Sequence, residues 1–185
     1  MIASGNIMSL LYGDNFEDKI EFPDSSTYFI FSRLFKGNNN LIDASKLTLP
    51  ALTLNTYCYE GMFYECTSLT TPPKLPATTL ARSCYSNMFY GCTSLTIGPK
   101  LPATTLASGC YGSMFNGCTS LTTAPELPVT TLTDSCYSGM FWGCTSLITA
   151  PELPATTLAN FCYTYMFYKC TSLTSAPELP VTTLA

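Results

Sequence analysis

The sequence predicts an α/β solenoid: a stack of 26-residue coils behind an N-terminal cap. Three observations predict it. Cys58, Cys84, Cys110, Cys136 and Cys162 lie 26 residues apart, and so do Cys66, Cys92, Cys118, Cys144 and Cys170. Each unit reads C-Y-x-x-M-F-x-x-C-T-S-L-T-x-x-P-[KE]-L-P-[AV]-T-T-L, so apolar, turn-forming and extended segments recur in a fixed order. One such unit cannot bury its own apolar face, whereas stacked units share a continuous core.

The N-terminal residues 1–33 do not fit the repeat. Their apolar stretches "NIMSLLY" and "TYFIFSRLF" predict a cap over the first coil. Residues 34–185 form the predicted solenoid. A degenerate first coil, "LFKGNNNLIDASKLTLPALTL", matches "MFYECTSLTTPPKLPATTL" with two extra residues, and five 26-residue repeats follow. Within a unit, "CYxxMFxx" has helical spacing. At about 100° per residue, the first Cys, Tyr, Met, Phe and second Cys fall within an arc of about 140°, the buried face of a two-turn helix. Glycine at Gly91, Gly117 and Gly143 suits a helix end. "TSLT" reads as a short strand, with Leu69, Leu95, Leu121, Leu147 and Leu173 pointing inward. The prolines of "APELP" stop it with a turn, and "TTLA" is a second short extended piece. Thr79, Thr105, Thr131, Thr157 and Thr183 form a column that is expected to bond along the stack.

Composition excludes several functions. Apolar residues make up 46% of the 185-residue chain and charged residues only 11%, which excludes a disordered charged tail. The net charge is −4, with eight Lys and Arg in all, too few for the basic stripe that nucleic acid requires. No apolar run approaches the roughly 20 residues that cross a bilayer, so no membrane insertion is expected. "MIASGNIMSLLYGDNF" lacks the charged and apolar regions of a signal peptide. The chain has no histidine, which removes Ser-His-Asp and Cys-His catalysis and mixed Cys/His zinc sites. No catalytic residue, cofactor or metal site is expected.

The paired cysteines are the first candidates for chemistry. Eight residues along a helix span roughly 12 Å, too far for a disulfide or for ligands of one metal ion. Between coils, each Cys stacks on its equivalent, and five identical neighbours cannot all pair off. Two columns of reduced, buried thiols are the favoured expectation, with disulfides between adjacent coils as the alternative. "LPATT" recurs in the coils without the glycine of a sorting signal, and is read as the repeat's turn. Lys74, Lys100, Glu126, Glu152 and Glu178 share one repeat position and are expected to form an exposed, solvated column.

The variable seventh position of the unit lies about 170° from the centre of the buried arc on a helix. It holds Tyr64, Tyr90, Asn116, Trp142 and Tyr168. Two readings stay open: the rings lie over the neighbouring coil, or Tyr64, Tyr90, Trp142 and Tyr168 form a binding column.

"MFxGCTSLT…LPxTTL" is similar to the bacterial BspA-like leucine-rich repeats, over about residues 34–185. "SLLYGDNF" resembles the lead-in to such repeats in gut-bacterial and phage-encoded proteins. The resemblance implies a right-handed leucine-rich-repeat stack and a non-catalytic role in recognition or adhesion. It implies a protein or carbohydrate ligand, and an extracellular, cell-surface or phage-particle location. A structural spacer presenting another domain is the second expectation. "LPVTTLA" stops where a further "CY" segment is due, so more coils, a cap, or end-to-end self-association through an uncovered last coil is expected.

Overall fold

The computed structural model describes residues 1–24 and 26–180, together with the backbone of Thr183 and Leu184. Successive 26-residue units stack upon one another. Tyr85 donates its amide to the Cys110 carbonyl at 3.0 Å and Tyr111 donates to Cys136 at 3.0 Å, so equivalent segments lie in adjacent coils.

The segment predicted to be a two-turn helix is not one. From Tyr57 to Cys66 the amides alternate. Even-numbered residues donate locally, three residues back: Met62 to Tyr59 at 3.2 Å, Tyr64 to Gly61 at 2.9 Å and Cys66 to Phe63 at 3.0 Å. Odd-numbered residues donate to the next coil: Tyr59 to Cys84 at 3.0 Å, Gly61 to Ser86 at 2.8 Å and Phe63 to Met88 at 2.9 Å. The i to i−4 bonds that define an α-helix are replaced, because the neighbouring coil takes every second donor. The turn that results has a period of four residues, not 3.6. Two side chains point in and two point out, as in Cys-Tyr, then Met-Phe, then Cys.

Every fourth residue has a left-handed backbone. In the coil of Cys110 these are Gly109, Ser113 and Gly117, with φ of 62°, 52° and 72°. A residue with a Cβ costs roughly 1–2 kcal/mol in this region. The sequence answers with small residues in the middle coils: Ser83, Asn87, Gly91, Gly109, Ser113, Gly117, Ser135, Gly139 and Gly143 occupy the nine positions. Bulky residues hold such positions only toward the ends of the stack, as at Phe29, Arg33 and Tyr57, and at Phe161, Tyr165 and Lys169.

The inward side chains form ladders. Phe35, Phe63, Phe89, Phe115, Phe141 and Phe167 stack with centroid spacings of 5.4 to 5.8 Å. Phe31, Tyr59, Tyr85, Tyr111, Tyr137 and Tyr163 stack beside them at 5.8 to 6.1 Å. Met62, Met88, Met114 and Met140 are fully buried, as are Leu69, Leu95, Leu121 and Leu147. Leu173, in the last coil, is only half-buried.

The predicted strands shrink to parallel pairings of one or two residues. Thr53, Thr79 and Thr105 bridge in series, as do Ile97, Thr123 and Thr149. Thr131 bridges Thr157, and β3 (Thr157–Leu158) pairs with β4 (Thr183–Leu184). The column at Thr79 thus pairs through its backbone. The threonine hydroxyls that reach the preceding coil belong to other positions, among them Thr93 to the Thr67 carbonyl at 3.3 Å and Thr122 to Thr96 at 3.3 Å.

At the N-terminal end β1 (Ile2–Asn6) lies parallel to β2 (Asp43–Thr48). The one α-helical turn among the described residues is α1 (Ser9–Tyr12). Ile7 and Met8 are buried in the core, and Phe22 packs on Phe31 and Tyr59 at 6.2 and 5.9 Å. The ladder itself starts at Phe29, inside the segment 1–33 expected to be cap: Phe29 donates to Thr56, Phe31 to Cys58 and Arg33 to Glu60. "FIFSRLFKG" escaped the repeat pattern because it lacks the cysteines and methionine, although it keeps the aromatic pair and the four-residue spacing. Arg33 also pairs with Glu60 at 3.2 Å, and Ser32 donates to the same carboxylate at 2.7 Å.

All these inter-coil amides point toward the C-terminal end. In the last coil Phe161, Tyr163, Tyr165, Phe167 and Lys169 therefore have no acceptor among the described residues. In hydrogen exchange on dilute protein, the amides of Tyr111 and Phe115 should be protected and those of Tyr163 and Phe167 should exchange fastest. Equal protection at all four would contradict the ladder.

Candidate functional site

The thiols are placed by the turn segments. All ten cysteines are free and buried. The two columns differ in a way that the sequence reading missed. The second cysteine of each unit donates to a phenylalanine carbonyl of the preceding coil: Cys92 to Phe63, Cys118 to Phe89 and Cys144 to Phe115, each at 3.1 Å. Cys66 and Cys170 do the same to Phe35 and Phe141, at 3.0 and 2.9 Å. A thiol is small and apolar enough for the core, yet it supplies a weak donor there. Serine in its place would carry a stronger polar group into an apolar column. In the first column, burial pushes Cys58 from 9.0 up to about 12 and Cys136 from 9.0 up to about 11, and it raises Cys66 and Cys170 in the second column as well. A neutral, inaccessible thiol is neither nucleophile nor metal ligand. Among the described residues no three His, Cys, Asp or Glu side chains are grouped to hold a metal ion.

The aromatic column is the candidate binding surface. Tyr64, Tyr90 and Trp142 are half-buried and Tyr168 is 48% exposed, so the column is not the fully solvated helix face that 100° spacing implied. Each residue follows the Phe of its coil's ladder and precedes a left-handed position. Tyr64 stacks on Tyr90 with centroids 4.5 Å apart and planes 1° from parallel. Lys36 Nζ sits 4.9 Å from the Tyr64 ring centre and extends the pair toward the N-terminal coil. Trp142 meets Tyr168 edge-on at 4.8 Å and Tyr165 at 5.2 Å. Asn116 separates the two groups.

The predicted residues are therefore brought together as two clusters. Tyr165, 61% exposed, is a member that the sequence reading left out. It occupies a left-handed slot held by Gly, Asn or Ser in the coils before it except at Arg33, a signal that only the four-residue period reveals. Lys169 lies 5.5 Å from the Tyr168 ring centre and mirrors Lys36 at the other end. The arrangement offers flat ring faces and edges with a cation at each end, suited to stacking rather than bond-breaking.

No protein-family model matches the chain, and no curated protein matches it. Among solved structures, it is similar to a leucine-rich cell surface protein from Faecalibacterium prausnitzii, with 15% identity, 83% of this chain and 68% of that chain covered, and a TM-score of 0.24. So slight an overlap carries neither a fold nor a role from one protein to the other. Among the described residues no helix is long and apolar enough to cross a membrane.

The thiol columns are open to measurement. Burial suppresses the acidity of thiols such as Cys58 and Cys136 in the folded state, so their stabilisation is complete below about pH 9 and is lost as pH rises toward 12. The free energy of unfolding should therefore fall across that window. A thiol reagent should find ten groups in denatured protein without reductant, and far fewer in native protein. Stability that stays flat from pH 9 to 11, or fewer than ten thiols after unfolding, would contradict this account.

Proposed function

We propose that the chain is a non-catalytic recognition or adhesion module of the leucine-rich-repeat kind. On this reading it acts at a cell or phage surface and binds a protein or glycan through Tyr64, Tyr90, Trp142 and Tyr168. The observation that carries the reading is the pair of aromatic clusters along successive coils. Rings supply large contact area at small ordering cost, and a repeating platform suits a repeating ligand through effective concentration. The absence of histidine supports a role without acid–base catalysis. The likeness of "MFxGCTSLT…LPxTTL" to BspA-like repeats supports the right-handed leucine-rich-repeat assignment and the surface location.

A further contact at the ends of the stack belongs to the same proposal. Among the described residues, five amides of the coil at 161–169 have no acceptor, and the carbonyls of Tyr28, Ile30, Ser32, Leu34 and Lys36 have no donor. Donor row and acceptor row have the same two-residue spacing, so the C-terminal edge of one molecule complements the N-terminal edge of another. Sedimentation that stays monomeric up to millimolar protein would remove this contact from the proposal.

Screening the protein on glycan and protein arrays tests the main reading. Trp142→Ala should weaken binding of the ligand so found by about 1–3 kcal/mol, with a thermal midpoint lowered by a few degrees at most. Unchanged binding, or collapse of the fold with no separable binding defect, would return these rings to a packing role. A clean negative on both arrays would favour the spacer.

A further inference from the structure

A second surface is built by the proline segments. Pro72–Leu75, Pro99–Pro102, Pro125–Pro128, Pro151–Pro154 and Pro177–Pro180 lie side by side in successive coils. Between them run four adjoining concavities, each sharing a wall with the next, so that they form one furrow over five coils. Its walls are proline rings, which are apolar, already rigid, and carry no amide donor of their own. A ligand that lies there orders little protein on binding.

The charges in the furrow are arranged by sign. Lys74 and Lys100 stand in the first two coils, and Glu126, Glu152 and Glu178 in the next three. All five side chains are exposed. Among the described residues their side chains have no ion-pair or hydrogen-bond partner, although Lys100 and Glu126 occupy consecutive coils. The furrow is thus positive at one end and negative at the other, with its charges uncommitted.

We propose that this furrow binds an extended polypeptide segment whose acidic residues lie over Lys74 and Lys100 and whose basic residues lie over Glu126, Glu152 and Glu178. Charge complementarity selects that partner. A uniformly anionic chain, whether nucleic acid or acidic polysaccharide, gains at two lysines and loses at three glutamates. A neutral glycan uses neither sign. Coils spaced by about 4.8 Å put the centre of the lysine pair about 12 Å from Glu152, and an extended chain rises about 3.3 Å per residue. The partner therefore carries its acidic and basic groups about four residues apart. The furrow does not involve the aromatic column, so the two sites fail independently.

Fluorescence anisotropy with the labelled peptide Glu-Glu-Val-Thr-Lys-Lys tests this, against the interleaved peptide Glu-Lys-Val-Thr-Glu-Lys of identical composition. At low salt the first should bind at least tenfold more tightly, and the difference should vanish near 1 M salt as the charges are screened. The double variant K74E/K100E should lose that preference and favour Lys-Lys-Val-Thr-Lys-Lys. The triple variant E126K/E152K/E178K should favour Glu-Glu-Val-Thr-Glu-Glu. All five positions are exposed, and circular dichroism of each variant should match the parent. Equal binding of the two wild-type probes would overturn the proposal. So would unchanged preference in both folded variants, or tighter binding of polygalacturonate than of the first peptide.

Discussion

Alternate amides donate forward. That single constraint fixes the rest of the stack. In each turn segment the even-numbered amides close local turns, and the odd-numbered amides reach the coil that follows. From Tyr57 to Cys66 every backbone donor is used in one of these two ways. The arrangement forces equivalent residues into register, and the Phe and Tyr ladders with their near-parallel planes follow from it. Within a turn segment, one extra residue would exchange local donors for inter-coil donors and turn the buried pairs outward, so changes in coil length fall outside it. The first coil obeys the rule while differing in length. Its partners lie 28 residues apart at Asp43 and Thr71 but 26 apart at Thr53 and Thr79, so the two additional residues fall between them, within or just after β2 and outside the turn segment.

The same constraint explains which residues vary. Side chains on the left-handed positions point out of the core, and the backbone there penalises a Cβ. Glycine, serine and asparagine fill these slots in the middle coils, where nothing but the neighbouring coil lies above and below. Gly139 shows the closeness of that contact, since a Cβ on it would stand 3.0 Å from the Ser113 Oγ of the preceding coil. At the N-terminal end, Phe29 stacks on Tyr57 at 4.6 Å and Arg33 pairs with Glu60, so large side chains offset their strained backbone with contacts. Phe161, 72% exposed at the other end, has no such contact among the described residues.

The stacking of 26-residue units was legible in the cysteine spacing, and so were the inward Leu, Met, Phe and Tyr. The backbone between Cys58 and Cys66 was not. Pairs recurring at four residues look helical over two turns, because a 3.6-residue helix drifts only about 40° per step of four. Hydrogen bonds to another coil leave no local mark to correct that impression. The glycines at Gly61, Gly91, Gly117 and Gly143 were read as helix ends or passed over, yet with Asn87 and Ser113 they mark one four-residue series. The aromatic column was visible in the sequence, with packing over the neighbouring coil and a solvated binding face both left open; the rings do lie against those of adjacent coils. Its division into two ring clusters, and the part of Tyr165, needed the true turn. The proline furrow was visible only as a column of five charges, since concavity between coils is a property of the stack.

Scalar couplings across hydrogen bonds, measured on deuterated, 13C,15N-labelled protein, test the forward-donating turn most directly. They should connect the Tyr85 amide to the Cys110 carbonyl and the Met88 amide to the Tyr85 carbonyl, the bonds of 3.0 and 3.2 Å that define the alternation. A coupling from the Met88 amide to the Cys84 carbonyl, four residues back, with none from Tyr85 to Cys110, would show an ordinary helix and contradict the account.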